Sequence, residues 1–200
     1  MRTIPFQDAM TRPIRGHGAR LRPLRFLAGP LAVLLAGCGA MPAPVTEAPV
    51  PAQLDPGPGH RLVATLHARG VQVYQCREAK ETVGRYEWAF VAPEAELLDA
   101  RLHPGGRHFA GPSWEAPDGS RVVGSGVRAR ADASVPGAIP QLLLATHSEG
   151  PAGRFSDVVA VQRVNTRGGI APDNACAPAN MSQQVRVPYT ADYRMFTAAR

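Results

Sequence analysis

Apolar and polar positions alternate through much of the chain after residue 60, and this pattern predicts β-strands. In the segment from Val71 to Cys76, Val71 and Val73 fall on one face while Tyr74 and Cys76 fall on the other. Short segments of the same kind, separated by turns rich in glycine and proline, cover residues 61–68, 71–76, 86–90, 114–116, 121–127, 158–164 and 185–196. No segment has the apolar spacing of an amphipathic helix of three turns. The pattern predicts a mainly β fold, a single antiparallel β-sandwich or barrel-like domain with long Gly/Pro-rich loops.

Several short motifs predict how these strands are connected. Arg69-Gly70 predicts a turn between the first two strands, and Asp118-Gly119 predicts a hairpin, because Asp-Gly tolerates the positive φ angles of tight turns. Pro188 has no amide hydrogen and therefore predicts an edge or a bend in the last strand. The apolar run from Gln141 to Thr146 fits either a strand or a buried helix.

The N-terminal segment has the features of an export signal. Arginines precede an apolar run that begins at Phe26 and is too short to span a membrane, which takes about 20 residues. The run ends in Leu35-Ala36-Gly37-Cys38, which resembles the bacterial lipobox. We therefore expect residues 1–37 to be a lipoprotein signal peptide and Cys38 to carry the lipid that attaches the protein to a membrane. Gly39, where an aspartate would favour the inner membrane, points to the periplasmic face of the outer membrane.

A proline-rich stretch follows the predicted lipidation site. Residues 38–59 contain six prolines, which disfavour helices and sheet ladders and favour extended conformations. We expect this segment to be a disordered tether, and residues 60–200 to form the single β-rich domain. The oligomeric state remains open.

The charge distribution argues against nucleic acid as a partner. The chain has a formal net charge of +6, but residues 1–37 contain six arginines and one acidic residue. Without that segment the chain is almost neutral, whereas a nucleic-acid-binding domain needs a basic folded surface.

The cysteine count fits an exported protein. Apart from Cys38 the chain has two cysteines, Cys76 and Cys176, and an exported pair is most simply a disulfide. A catalytic redox pair is the alternative, but it would more naturally have Cys-x-x-Cys spacing.

Three segments combine polar and aromatic residues, and they carry a resemblance to a known family. They cover residues 108–120, 162–169 and 188–193, with the sequences HFAGPSWEAPDGS, QRVNTRGG and PYTADY. Together with residues 70–76 and 88–93, they resemble DUF3455, a family of secreted bacterial and fungal domains without an established activity. The resemblance extends from about Pro51 to Phe196. It implies a secreted, mostly β domain and is consistent with a bond between the two cysteines.

The same segments supply the candidate site residues. His108 titrates near neutrality in its ordinary state, Trp114 offers a flat apolar face, and Arg163 can bind a carboxylate or phosphate with two nitrogens. The candidate ligand-binding residues are His108, Trp114, Arg163, Asn165, Tyr189 and Tyr193. The candidate catalytic residues are His108 as acid or base with Asp192 or Glu115.

Each of these residues also has a purely structural interpretation. Trp114 could belong to the core, and Arg163 could form an ion pair with Asp192. His103 and His108 flank a loop, but no third ligand is spaced to join them, so we predict no metal site and no cofactor.

Three functions remain as hypotheses. The first is a non-catalytic binding module for a small molecule, a glycan or a cell-envelope partner. The second is an extracytoplasmic hydrolase or isomerase that uses His108, and it requires a carboxylate to meet His108 in one pocket. The third is a purely structural envelope lipoprotein.

Overall fold

Eight antiparallel strands form one sheet that closes into a barrel. The structure is a computed structural model, and it describes residues 49–173 and 176–200. Each strand pairs with its neighbours in chain order, and β8 pairs with β1 to close the sheet. The strands are β1 (His60–Glu78), β2 (Tyr86–Leu98), β3 (Pro104–Phe109), β4 (Ser113–Glu115), β5 (Arg121–Ala131), β6 (Gln141–Glu149), β7 (Val158–Gly168) and β8 (Gln184–Ala198). The mainly β prediction is confirmed, and the ambiguous run at 141–146 belongs to a strand.

The predicted turn at Arg69-Gly70 is wrong, because β1 runs through it without a break. Gly70 lies opposite Ala95 of β2 and Tyr189 of β8, so it is paired on both sides. A Cβ atom at position 70 would overlap the carbonyl oxygen of Glu94. The glycine thus permits a close approach between two strands. In the sequence, a glycine with this role looks the same as a glycine in a turn.

The predicted Asp-Gly hairpin is present between β4 and β5. Glu115 pairs with Arg121, and Gly119 has a φ of +82° in the connecting turn. Asp118 Oδ1 accepts hydrogen bonds from the amide and the hydroxyl of Ser120, at 3.0 and 2.6 Å. These bonds stabilise the carboxylate and lower the pKa of Asp118.

Pro188 lies at a local edge of the closed sheet. It faces Val71 on β1, but β7 ends at Gly168, which pairs with Tyr189. On that side the proline has no strand neighbour that would require its missing amide hydrogen. The predicted edge position is therefore confirmed, although the barrel as a whole has no edge strand.

The barrel interior is filled by one apolar cluster. Alternate residues of β8, namely Tyr189, Ala191, Tyr193 and Met195, belong to this cluster, as period-two geometry requires. They share it with Trp114 of β4 and with apolar side chains from the other strands. An eight-stranded barrel is just wide enough for side chains to fill it or for one small ligand to enter.

A second apolar cluster lies on the outer wall and includes part of the predicted tether. Residues Ala52–Leu54 form a 3-10 helix, and the buried Leu54 packs against outward-facing side chains of β5 to β8. Gln162 Nε2 donates a hydrogen bond to the Leu54 carbonyl at 2.7 Å. Residues 49–59, the described part of the predicted tether, thus differ from the extended conformation we predicted, because the outward apolar residues need a cover and Leu54 supplies it. The predicted signal peptide and Cys38 lie outside the described residues.

Cys76 and Cys176 are bonded to each other, with Cα atoms 5.3 Å apart. The bond joins the end of β1 to the segment that precedes β8. Backbone hydrogen bonds from Cys76 to Gln183 and from Ser182 to Cys76 hold the same two segments together. Within residues 49–173 and 176–200, no helix is long and apolar enough to cross a membrane.

Replacing Gly70 should destabilise the barrel strongly. We expect Gly70→Ala to lower the free energy of unfolding by at least about 2 kcal/mol, because the new methyl group must displace the β2 backbone. Gly59→Ala is the matched control, since nothing lies within 4 Å of a Cβ there, and it should change stability by less than about 0.5 kcal/mol. Chaotrope-induced unfolding followed by circular dichroism measures both. Equal stability of the two variants would contradict the close approach at Gly70.

Reduction of the disulfide should lower the melting temperature. The bond closes a loop with a sequence separation of 100 residues, for which the chain-entropy argument gives at most about 4–5 kcal/mol of stabilisation. Thermal melts with and without reductant measure the effect, and Cys76→Ala/Cys176→Ala serves as the permanently unlinked form. Two free thiols in the native protein purified without reductant would contradict the pairing.

Candidate functional site

A cavity of about 430 Å³ opens at the end of the barrel where β1, β3, β5 and β7 terminate. Its walls come from all eight strands, and its margin includes the loops at residues 110–112 and 132–140. Its polar and aromatic lining residues are Gln72, Tyr74, Phe90, His108, Trp114, Arg130, Arg163 and Tyr193. Phe90, Val91 and Val127 also line it, and each is about half exposed. The cavity therefore combines a buried polar interior with an apolar rim that solvent reaches.

Three rings pack together on one side of this cavity. The His108 and Trp114 rings are stacked, with centroids 4.6 Å apart and planes inclined by 12°. Tyr193 meets Trp114 edge to face at 5.5 Å. All three side chains are buried, so the cluster forms a rigid aromatic wall.

His108 is neutral in this setting. Its Nδ1 lies 2.8 Å from the carbonyl oxygen of Ser113, which only accepts, so Nδ1 carries the hydrogen and Nε2 is left as an acceptor. Burial lowers the pKa of His108 to about 3, against the smaller opposing effect of the Ser113 bond. The sequence suggested an acid or base that titrates near neutral pH. The low pKa of the buried His108 ring does not fit that role.

The Arg163 side chain enters the cavity from β7, and a backbone carbonyl holds its guanidinium in place. Its Nε and Nη2 donate to the Pro140 carbonyl at 3.1 and 2.9 Å. Arg163 pairs in register with the inward-facing Tyr193, whereas Asp192 pairs with Val164, which packs in the outer cluster. Because opposite residues share a face of the sheet, Arg163 and Asp192 lie on different faces. The ion pair considered from the sequence is not formed.

Two buried donors of the cavity lining lack hydrogen-bond partners. They are Trp114 Nε1 and Gln72 Nε2, and neither meets hydrogen-bond geometry with any described residue. Burial raises the pKa of Tyr189. The Gln72 amide lies near the Tyr189 hydroxyl and slightly offsets that rise. Tyr189 is buried beside the cavity, and its hydroxyl lies 3.4 Å from that of Tyr193. Buried donors without partners are rare and costly, and both of these atoms are covered by protein atoms rather than exposed to the cavity.

The remaining candidate residues lie on the outside of the barrel. Asp192 accepts from Asn165 Nδ2 at 2.7 Å, and its other oxygen lies 2.6 Å from His67 Nδ1. Glu115 accepts from Arg107 Nη2 at 2.7 Å. The structure brings His108, Trp114, Arg163 and Tyr193 together but separates them from both carboxylates that the enzyme hypothesis pairs with His108.

His103 is also separate from the cavity. Its Nδ1 lies 3.7 Å from Asp99 in an exposed loop. In the described part of the chain, no group of three histidine, cysteine, aspartate or glutamate side chains is arranged to hold a metal ion.

Several residues of the cavity were not predicted from the sequence. Gln72, Tyr74, Phe90 and Arg130 line the cavity, but none was a candidate. Gln72 and Tyr74 share one face of β1 by period-two spacing, so a polar residue in an otherwise inward stripe was the available indication. Arg130 carries no such indication, since it lies in a stretch with several arginines.

Residues 56–197 match the protein family described as Protein of unknown function (DUF3455). The chain belongs to this family. The match covers more than half of the chain, from before β1 almost to the end of β8, and therefore includes every element that lines the cavity. No curated protein and no solved structure matches the chain. The DUF3455 resemblance seen in the sequence is thus confirmed, and the cavity lies within the part of the chain that matches the family.

The buried neutral His108 should make stability fall as the solution is acidified. Unfolded histidine binds a proton near pH 6.5, whereas His108 in the folded protein does so only near pH 3, so the unfolded state takes up more protons between these values. The folded protein should lose about 2 kcal/mol from this residue between pH 7 and pH 5. Unfolding free energies at both pH values measure it.

His108→Phe keeps a flat ring beside Trp114 but cannot titrate, so it should lose this part of the pH dependence. His147→Phe removes an exposed histidine and should retain the wild-type dependence. Identical pH dependence in the wild type and in His108→Phe would show that His108 titrates normally in the folded protein.

Proposed function

We propose that this DUF3455 domain is an extracytoplasmic, lipid-anchored binding module that takes a small molecule into the open end of its barrel. The observation that carries the proposal is the cavity of about 430 Å³, which has an aromatic wall and the guanidinium of Arg163 among its lining groups. Its volume falls in the range of small-molecule sites, which are mostly apolar with a few convergent polar groups.

The aromatic wall supports binding of an organic molecule. Trp114 and His108 are held by stacking, and His108 is further fixed by its bond to the Ser113 carbonyl. Neither ring needs to reorient for an apolar group to pack against the wall, so little conformational entropy is lost on binding. Phe90 and Val127 at the rim extend the apolar surface outward.

The chemistry of the cavity supports binding better than acid–base catalysis. The histidine in the cavity is neutral, and Asp192 and Glu115 are engaged on the outer surface. In acid–base catalysis, the acid and the base must each lie within hydrogen-bond reach of the substrate. A binding site needs only complementary shape and donors, which the cavity supplies.

Export and lipid attachment are supported by two independent features. The lipobox-like sequence ends at Cys38, and the domain that follows has its two other cysteines bonded to each other. Disulfides persist in oxidising compartments and are rare in the cytosol. Globomycin-type inhibition of lipoprotein processing tests this part: accumulation of an uncleaved, membrane-associated precursor is expected, and unchanged processing would contradict it.

Occlusion of the cavity rim should abolish binding of an apolar probe. N-phenyl-1-naphthylamine is neutral and becomes fluorescent in apolar surroundings, and we expect saturable binding to the wild-type domain at one site. Val127→Trp places a bulky ring at the rim and should weaken binding by about tenfold or more, through steric exclusion from the cavity.

Val159→Trp is the matched control, because Val159 is a partly exposed valine on β7 that does not line the cavity. It should bind the probe as the wild type does. Non-saturable fluorescence, or equal affinity in all three proteins, would overturn the proposed site.

A further inference from the structure

We infer that the ligand of the cavity is an amphipathic organic acid whose carboxylate pairs with Arg163 and whose apolar body covers the aromatic and aliphatic walls. The inference rests on the proposed binding function and adds the chemical class of the ligand.

The lining of the cavity has positive charge and no acidic residue. Arg163 and Arg130 are its two charged residues. In the described part of the chain, no carboxylate lies within ion-pair distance of Arg163, whereas Arg107, Arg121 and Arg186 each have a glutamate partner on the surface. Burial removes part of the hydration of the guanidinium, and without a counter-ion nothing fully offsets that loss of free energy. A ligand carboxylate would supply the missing charge.

The orientation of Arg163 favours a carboxylate over a spherical anion. The Pro140 carbonyl occupies the edge formed by Nε and Nη2, and the Tyr193 hydroxyl also lies beside the guanidinium, so a ligand would meet the edge formed by Nη1 and Nη2 next to Tyr193. That edge presents two parallel N–H groups, which match the two coplanar oxygens of a carboxylate. Because the Pro140 contact already holds the guanidinium in place, binding needs little further ordering of a long side chain.

The guanidinium influences the other polar groups of the site. It lowers the pKa values of Tyr74 and Tyr193 against the larger effect of burial, which raises both. Its positive field therefore reaches across the cavity and would act on any charged group bound there. The same field opposes protonation of His108 and disfavours a cationic ligand.

The remaining surface fits the apolar part of such a molecule. Leu142 and Leu144 of β6 line the interior, and Phe90 and Val91 of β2 lie half exposed at the rim. A molecule with its acid group at Arg163 would place its apolar body against these side chains.

The test compares matched acids and alcohols. Binding of decanoate and decan-1-ol, and of 3-phenylpropanoate and 3-phenylpropan-1-ol, is measured by displacement of N-phenyl-1-naphthylamine from the wild-type domain. Within each pair the apolar body is the same and only the acid group differs. We expect each acid to bind at least about tenfold more tightly than its alcohol, because a charge-assisted bidentate bond contributes that much or more. The two pairs also show whether the body is preferably aliphatic or aromatic.

Two variants assign the preference to Arg163. Arg163→Gln should remove the difference between acid and alcohol while alcohol affinity changes little. Arg128→Gln removes the same charge from an exposed residue of β5 that does not line the cavity, and it should retain the preference. Thermal melts establish that both variants are folded.

The outcomes separate this inference from the proposed function. Tighter binding of the acids in the wild type, lost in Arg163→Gln alone, supports it. Equal binding of acids and alcohols in the wild type overturns the inference but leaves the binding cavity intact, and this result does not depend on the folding of any variant. An acid preference that survives in folded Arg163→Gln overturns the role of Arg163. Failure of every probe to bind at the cavity overturns both.

Discussion

The ladder between β1 and β8 is the interaction on which the rest of the structure depends. It closes the sheet, so every strand has a neighbour on both sides, although β2 meets β3 only from Ala95 to Leu98 and β5 meets β4 only from Arg121 to Val123. Closure gives each strand an inward and an outward face, and the alternation along the chain then decides which side chains share the interior. Gly70 permits this arrangement where β1 is paired on both sides, because any larger residue would push β2 away. The cavity exists because, at the end where β1, β3, β5 and β7 terminate, the inward side chains do not fill the space.

Much of the fold could be predicted from the sequence, because the residues of a barrel strand alternate between the inside and the outside, and this alternation gives a period-two pattern of apolar positions. Most of the strands and the Asp118-Gly119 hairpin were evident in this way. The loop predicted between His103 and His108 is wrong, because Pro104–Phe109 form β3, and the two glycines in that segment hid the strand pattern. The turn at Arg69-Gly70 was not correctly predicted, since a glycine chosen for close packing has the same sequence appearance as one chosen for a turn. The role of Leu54 was missed for a related reason. A single leucine among prolines gives no periodic pattern, and its burial depends on an apolar outer wall that exists only after closure.

The candidate site shows the limit of reading residues as clusters along the chain. Arg163 and Asn165 are two residues apart, and Asp192 and Tyr193 are adjacent, so each pair looked like part of one site. The barrel wall separates Asp192 from Tyr193, and the bulge between Val164 and Arg167 sets Asn165 beside Asp192 on the outside. Closeness along the chain thus identified the right strands, but it could not show which side chains point into the barrel and which point outward. Gln72 could have been found from its place in an inward stripe of β1, whereas Arg130 could be found only from the structure.

If Cys38 is lipidated as we propose, the packing of Leu54 on the outer wall shortens the segment that links the domain to the lipid. If the chain leaves the barrel at Val50 rather than at His60, the free length from Cys38 is eleven residues. At about 3 Å per extended residue, this segment reaches roughly 35 Å, about half the span of a tether that continued to His60. The departure point is also fixed to one side of the barrel wall by Leu54 and Gln162. An anchored domain of this kind would stay close to the bilayer surface and present a restricted set of orientations to whatever diffuses past it.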